Sequence, residues 1–189
     1  MDLQQDEQVV VATRRWIDIA VIGLNLCPFA RAVVAGGHVR FRVSHAREAD
    51  EVGVDLVEEL RFLAAAEPET IETTLLIHPW ALTDFLAFND FLAVADALLV
   101  ELGLRGDVQI ASFHPDYRFV GTREEDLGNC TNRSPFPILH LLRETSIERA
   151  LATIPDPAAI YERNIETMRR LGRDGWERLR SQFAPDFPR

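Results

Sequence analysis

The chain has 189 residues, 47% of them apolar, with 30 acidic against 20 basic side chains and a formal charge of −10. That apolar share supplies a sizeable core and argues against disorder, while the acidic balance excludes nucleic acid as a main partner, since phosphate binding needs clustered Lys and Arg. Two cysteines without a C-x-x-C pair give no disulfide framework, no apolar run approaches bilayer length, and the polar, acidic start MDLQQDEQ lacks the basic region of a signal peptide, so a cytoplasmic protein with reduced thiols and no membrane partner is expected.

Residues Glu7 to Leu24 carry Val10, Thr13, Ile17, Ala20, Val21 and Leu24 at three- and four-residue steps, which predicts one amphipathic helix. Pro28 disfavours helix at Cys27 and suits the first turn of a short helix, Phe29 to Val34. Cys27 is then expected at or near a helix N-terminus, where N–H groups and the dipole favour a thiolate. The plainer alternative is a small buried cysteine. After the Gly36-Gly37 turn, His38 to Ser44 alternates Val39, Phe41 and Val43 with Arg40 and Arg42, a half-buried strand. Glu48 to Ala66 reads as a helix with Val52, Leu56, Leu60 and Leu63 on one face, closed by Pro68. Glu72 to His78 is a β-branched, apolar strand stopped by Pro79.

Thr83 or Asp84 caps the next helix, to about Leu102, and Val108 to His114 is a third strand followed by Pro115. A polar loop then runs to Ser134, read as the N-cap of an apolar helix with Pro135 at its first position. His140 and Glu144 would share a face of that helix, with Arg143 facing solvent or a salt bridge. Thr145 or Ser146 caps further helix, Pro155 and Pro157 break it, and Ala158 to about Phe183 is amphipathic, with APDFPR fraying. The order strand, helix, strand, helix, strand suits right-handed crossovers between parallel strands. The expected fold is a single α/β domain over residues 1–189: a small parallel sheet with helices packed on both faces.

The chemistry concentrates between Asp107 and Glu144 and at the ends of the strands. Each predicted strand ends at a histidine, His45, His78 or His114, and ligands of open α/β sheets bind outside the carboxyl ends of strands. Imidazole is both a common metal ligand and a neutral-pH base. Asp116, beside His114, can orient its ring. Tyr117, Asn132, Arg133 and Ser134 form a polar loop before a predicted helix N-terminus, a fair site for a carboxylate or phosphate. The alternative is a loop that satisfies its own backbone. His78, His114 and Cys27, with His140 and Glu144 as further donors, form a candidate metal set whose mixed N/S character suits zinc or iron.

The segments Gly23 to Ala30, Leu75 to Pro79, Gln109 to Pro115 and Asn129 to Glu144 together resemble the bacterial domain-of-unknown-function 1415 family. The resemblance spans nearly the whole chain and implies that family's fold and a cytoplasmic protein. The family name carries no reaction, so it brings no catalytic assignment.

Three functional readings stand open at this point. The first is an enzyme acting on a small polar or anionic molecule at a Cys27/His114/Asp116 site on the strand rim, with His78 and His114 as metal ligands or acid–base groups and Cys27 as a third ligand or a nucleophile. The second is a metal-free thiol enzyme with Cys27 as nucleophile and a histidine as base. The third is a non-catalytic module that binds an anionic metabolite. The partner in each is a small molecule, and the sequence sets no oligomeric state.

Overall fold

The computed structural model describes residues 3–152, 154, 156–157 and 159–184. The readings made for Pro155, Ala158 and residues 185–189 lie outside the described residues. Helix α1, Leu3–Trp16, continues without a break into a π-helical turn, Ile17–Ile22, where Gly23 N–H donates to Asp18 O and Leu26 N–H to Val21 O, each five residues back. A side chain at Gly23 would place its Cβ 2.2 Å from Ile19 O, so the wide turn closes there only with glycine. Helix α2, Ala30–Ala35, follows the Pro28 turn, and β1, Val39–Val43, follows the Gly36-Gly37 turn.

Helix α3, Ala49–Ala65, starts in a capping box in which Glu48 and Glu51 satisfy each other's backbone N–H groups. Strand β2, Thr73–Ile77, and helix α4, Phe85–Glu101, come next, with Asp84 accepting from Ala87 N–H as N-cap. Strand β3, Val108–Phe113, is followed by a long loop, a 3₁₀ turn at Leu127–Asn132, and strand β4, Ile138–Arg143. Helix α5, Glu144–Leu151, and helix α6, Ala159–Arg180, are the last elements among the described residues, α6 bending where Gly172 takes φ 69°. No helix among the described residues is long and apolar enough to cross a membrane.

The α/β class and the helical layers on both faces match the sequence expectation; the pairing within the sheet does not. Strand order is β1-β2-β4-β3, with β1 and β2 parallel and β4 antiparallel to both β2 and β3. The expected apolar helix after Ser134 is this central strand. An apolar run of that length fits either a buried helix segment or a buried strand, and here it fills the slot between β2 and β3 and completes both their ladders. Ser134 therefore caps no helix: its hydroxyl donates to Phe136 O at 2.6 Å. Because β4 opposes its two neighbours, β1, β2 and β3 still point the same way.

Strand alternation divides the interior into two cores. Leu75, Ile77 and Ile138 pack with Val9, Trp16, Ile17, Met168 and Trp176 beneath α1 and α6. Leu76, Leu139 and Leu141 pack with Leu56, Leu60, Leu63 and Phe88 beneath α3 and α4. Arg40 and Arg42, read as the wet side of β1, turn to α3 instead. Arg40 holds the buried Glu59 with two hydrogen bonds of 2.6 and 3.0 Å, and Arg42 lies 3.6 Å from the same carboxylate. A buried carboxylate is tolerable only with such partners.

Candidate functional site

The common direction of β1, β2 and β3 brings His45, His78 and His114 to one edge of the sheet. Alternation continues past the strand ends. His78 follows Thr74 and Leu76, and His114 follows Ile110 and Ser112, so both rings enter the α4 side. His78 lies 5.8 Å from the Phe88 ring, and His114 lies 5.1 Å from Phe88 and 5.4 Å from Phe85. Both side chains are fully buried. His78 Nδ1 donates to Ala81 O at 3.1 Å, and its Nε2 has no partner. Burial drives its pKa down to about 4, with the charge of His114 pushing the same way.

His114 Nδ1 accepts from Asp116 N–H at 3.0 Å, which leaves the proton on Nε2 to donate to Leu82 O at 3.3 Å. Burial lowers this pKa too, against the charge of Asp116. The two rings pin the turn between His78 and Asp84, whose Leu82 takes φ 54°. Asp116 itself is exposed and meets His114 through its main chain. His45 stands apart at the surface, paired with Asp6 at 3.0 Å and stacked on Trp80.

The expected anion loop is tied to itself. Buried Asn129 accepts from Phe119 N–H and Thr122 Oγ1 and donates to Arg123 O. Asn132 Nδ2 donates to Ser112 O, while the Asn132 carbonyl accepts from His114 N–H. Arg133 donates to Tyr117 O and to Glu124 O at 2.8 Å. The Tyr117 ring packs on Phe85 and Phe119. Asn132, Arg133, Ser134 and Tyr117 thus spend hydrogen bonds and surface on the loop's own backbone, the end of β3 and the start of α4.

The other face of the sheet holds the cavity. It measures about 340 Å³ and lies between the sheet floor and the segments 16–34 and 146–150. Cys27 and His140 both line it, with Thr73, Ala111, Trp16 and Val34. Ala111, beside His140 in the β3–β4 register, is too small to fill the space above it. Thr73 Oγ1 donates to Leu141 O at 2.6 Å and lies 2.7 Å from His140 Nε2. Burial lowers the His140 pKa to about 4. Glu144, expected on the same helical face as His140, instead begins α5, while His140 sits in mid-strand.

Cys27 and His78 are thereby on opposite faces of the sheet, as are His140 and His114. Among the described residues no three of His, Cys, Asp and Glu converge as a metal-binding group. The expected ligand set of His78, His114, Cys27, His140 and Glu144 is not assembled. The alternation of β2 sends Ile77 and His78 to different layers, so a rim shared in sequence is divided in space. Thr73 and Ala111 carried no distinguishing signal, for each is an ordinary strand residue until His140 is placed between them.

A family model described as a protein of unknown function (DUF1415) matches residues 8–178. Among curated proteins and among solved structures there is no match to the chain.

Proposed function

The chain belongs to the domain-of-unknown-function 1415 family, and from the cavity over its sheet we propose that it binds a small, mainly apolar molecule there. The observation that carries this reading is the cavity itself: about 340 Å³, apolar for most of its wall, with Cys27 and His140 both reaching it. Binding sites are concave and apolar with a few polar groups that fix orientation, and this volume lies at the lower end of their range. The trough between α3 and α4 encloses about 600 Å³ but is lined by surface residues such as Asp50, Val54 and Arg61, without His or Cys.

A cavity-filling substitution tests the proposal. Ala111→Phe puts a ring into existing space, so the fold is expected to persist. The parent chain is expected to melt higher when 4-butylphenol is added; at a hundred times Kd the gain is about 2.7 kcal/mol, or roughly 5–10 °C in a domain of this size. Ala111→Phe should lose that shift. Equal shifts in both proteins would place the probe elsewhere and end the proposal.

Cys27 sharing the cavity with His140 favours thiol chemistry as a second reading. N-ethylmaleimide is expected to label Cys27 in the native chain and to spare Cys130, which is 2% exposed and whose thiol burial pushes up. Bound 4-butylphenol should slow the labelling of Cys27. A thiol enzyme further requires fast labelling already below neutral pH. Labelling that rises only in the alkaline range would leave binding alone, and preferential labelling of Cys130 would remove the thiol from the cavity.

A further inference from the structure

We infer that the cavity selects molecules carrying a hydrogen-bond donor, a hydroxyl or N–H at one end of an apolar body, and that Nδ1 of His140 is the atom that recognises it. The inference rests on the cavity reading and specifies its ligand. It follows from proton counting. Thr73 Oγ1 carries one hydrogen, and its 2.6 Å contact with Leu141 O can only be a donated bond. Its 2.7 Å contact with His140 must then be accepted, so Nε2 holds the imidazole proton. A neutral imidazole has one such proton, which leaves Nδ1 as a lone pair.

The placement of that proton is fixed by the fold. Thr73 and Leu141 are buried, and the β2–β4 ladder sets Thr73 opposite Leu142, so hydroxyl and carbonyl cannot drift apart. The low pKa of His140 keeps the ring uncharged at neutral pH. Among the described residues Nδ1 has no hydrogen-bond partner, and the half-buried ring forms part of the cavity wall. The remaining polar groups of the wall are drawn outward. Arg143 donates to the carbonyls of Leu63, Ala66 and Ile71. Glu72 and Ser146 both face Arg149, at 3.5 and 3.1 Å. Cys27 offers only a weak donor. A carboxylate in this space would meet a lone pair, apolar carbon and no uncommitted cation, and an ether would leave Nδ1 buried without a partner. A hydroxyl satisfies both atoms at once.

Three probes of one shape test this: 4-butylphenol, 4-butylanisole and 4-butylbenzoate, each titrated calorimetrically into the full chain and into His140→Gln. The Gln amide can still donate to Thr73 Oγ1 but supplies no acceptor at the Nδ1 position. The phenol is expected to bind at least tenfold more tightly than the anisole, and the benzoate most weakly. His140→Gln should bring the phenol down to the level of the anisole while leaving the anisole unchanged. In the parent chain labelled with ¹⁵N-histidine, the unprotonated Nδ1 resonance of His140 should move with the phenol and stay with the anisole, a readout that does not depend on the variant folding. Phenol and anisole binding equally, with Nδ1 unmoved, would overturn the donor inference and leave the cavity reading intact. If none of the three binds, both fall.

Discussion

Acidification from pH 6.5 to pH 4 is expected to cost this chain roughly 3 kcal/mol for each of His78 and His140, since each pH unit is worth about 1.4 kcal/mol per group. Both groups have folded pKa values of about 4 against 6.5 for the free side chain. The folded state therefore binds fewer protons than the unfolded one between those limits. The stability is fully present above pH 6.5 and is lost as pH falls through the window, levelling off once the folded histidines also protonate. His114 is lowered by burial as well and contributes with the same sign. Against a typical domain stability of about 5–15 kcal/mol, this is enough to unfold a marginal protein. The measurement is urea denaturation at half-unit pH steps for the parent chain and for His78→Asn with His140→Gln. The Asn amide can still donate to Ala81 O and the Gln amide to Thr73 Oγ1, so the variant keeps both hydrogen bonds and loses both titrations. It should be less stable at pH 7, because the ring packing on Phe88 is lost, yet flatter toward pH 4. Parallel curves for the two proteins would show that the histidines do not govern acid stability.

Arg143→Met is expected to lower stability by about 2–4 kcal/mol, through carbonyl groups left without a donor. Arg143 ends β4, and its guanidinium crosses to the other chain segment at the end of α3. Nη2 donates to Leu63 O at 2.7 Å, Ala66 O at 2.6 Å and Ile71 O at 3.2 Å, and Nε lies 3.4 Å from Ile71 O. Leu63 and Ala66 lie at the α3 C-terminus, where helical N–H donors run out, Leu63 O keeping only a 3.3 Å bond from Ala66 N–H, and where the dipole favours a cation. The side chain read from sequence as facing solvent or a salt bridge is thus the cap of a helix eighty residues earlier in the chain. Arg143→Lys should recover only part of the loss, since an ammonium cannot reproduce the planar fork. The check is a fall in the urea midpoint at unchanged slope, with faster amide exchange in the last turn of α3. A change under about 0.5 kcal/mol, the size of a neutral surface substitution, would contradict the capping role.

Much of the local structure was legible in the sequence because local rules are strong there. Helix α3 runs Ala49–Ala65 against an expected Glu48 to Ala66, and α4 begins after Asp84, one of the two caps proposed. Prolines after His78 and His114 mark the ends of β2 and β3. The segment Ile138–Arg143 was misassigned because a short, continuous apolar run has no period of its own. That one error displaced three others: the helix cap at Ser134, the His140/Glu144 pair and the role of Arg143. The polar loop was located correctly, and of its two readings, an anion site or a loop that satisfies its own backbone, the hydrogen bonds follow the second: Asn129 and Arg133 donate to the loop carbonyls of Arg123 and Glu124, and Asn132 donates to Ser112 O at the end of β3.

Periodicity along the chain records which residues each segment will bury, and caps and prolines record where it must stop, so the sequence alone determined where α1 to α6 run in outline, three of the strands and the histidines that follow those strands. Neither signal says which distant segment lies alongside. Only the tertiary structure decided that β4 enters between β2 and β3, that His78 and Cys27 fall on opposite faces, and that Thr73, Ala111 and His140 meet over one cavity. Those outcomes depend on register between strands distant in sequence, with Thr73 opposite Leu142 and Ala111 opposite His140, and register is set by packing in three dimensions, where a shift of one residue sends every side chain to the other face.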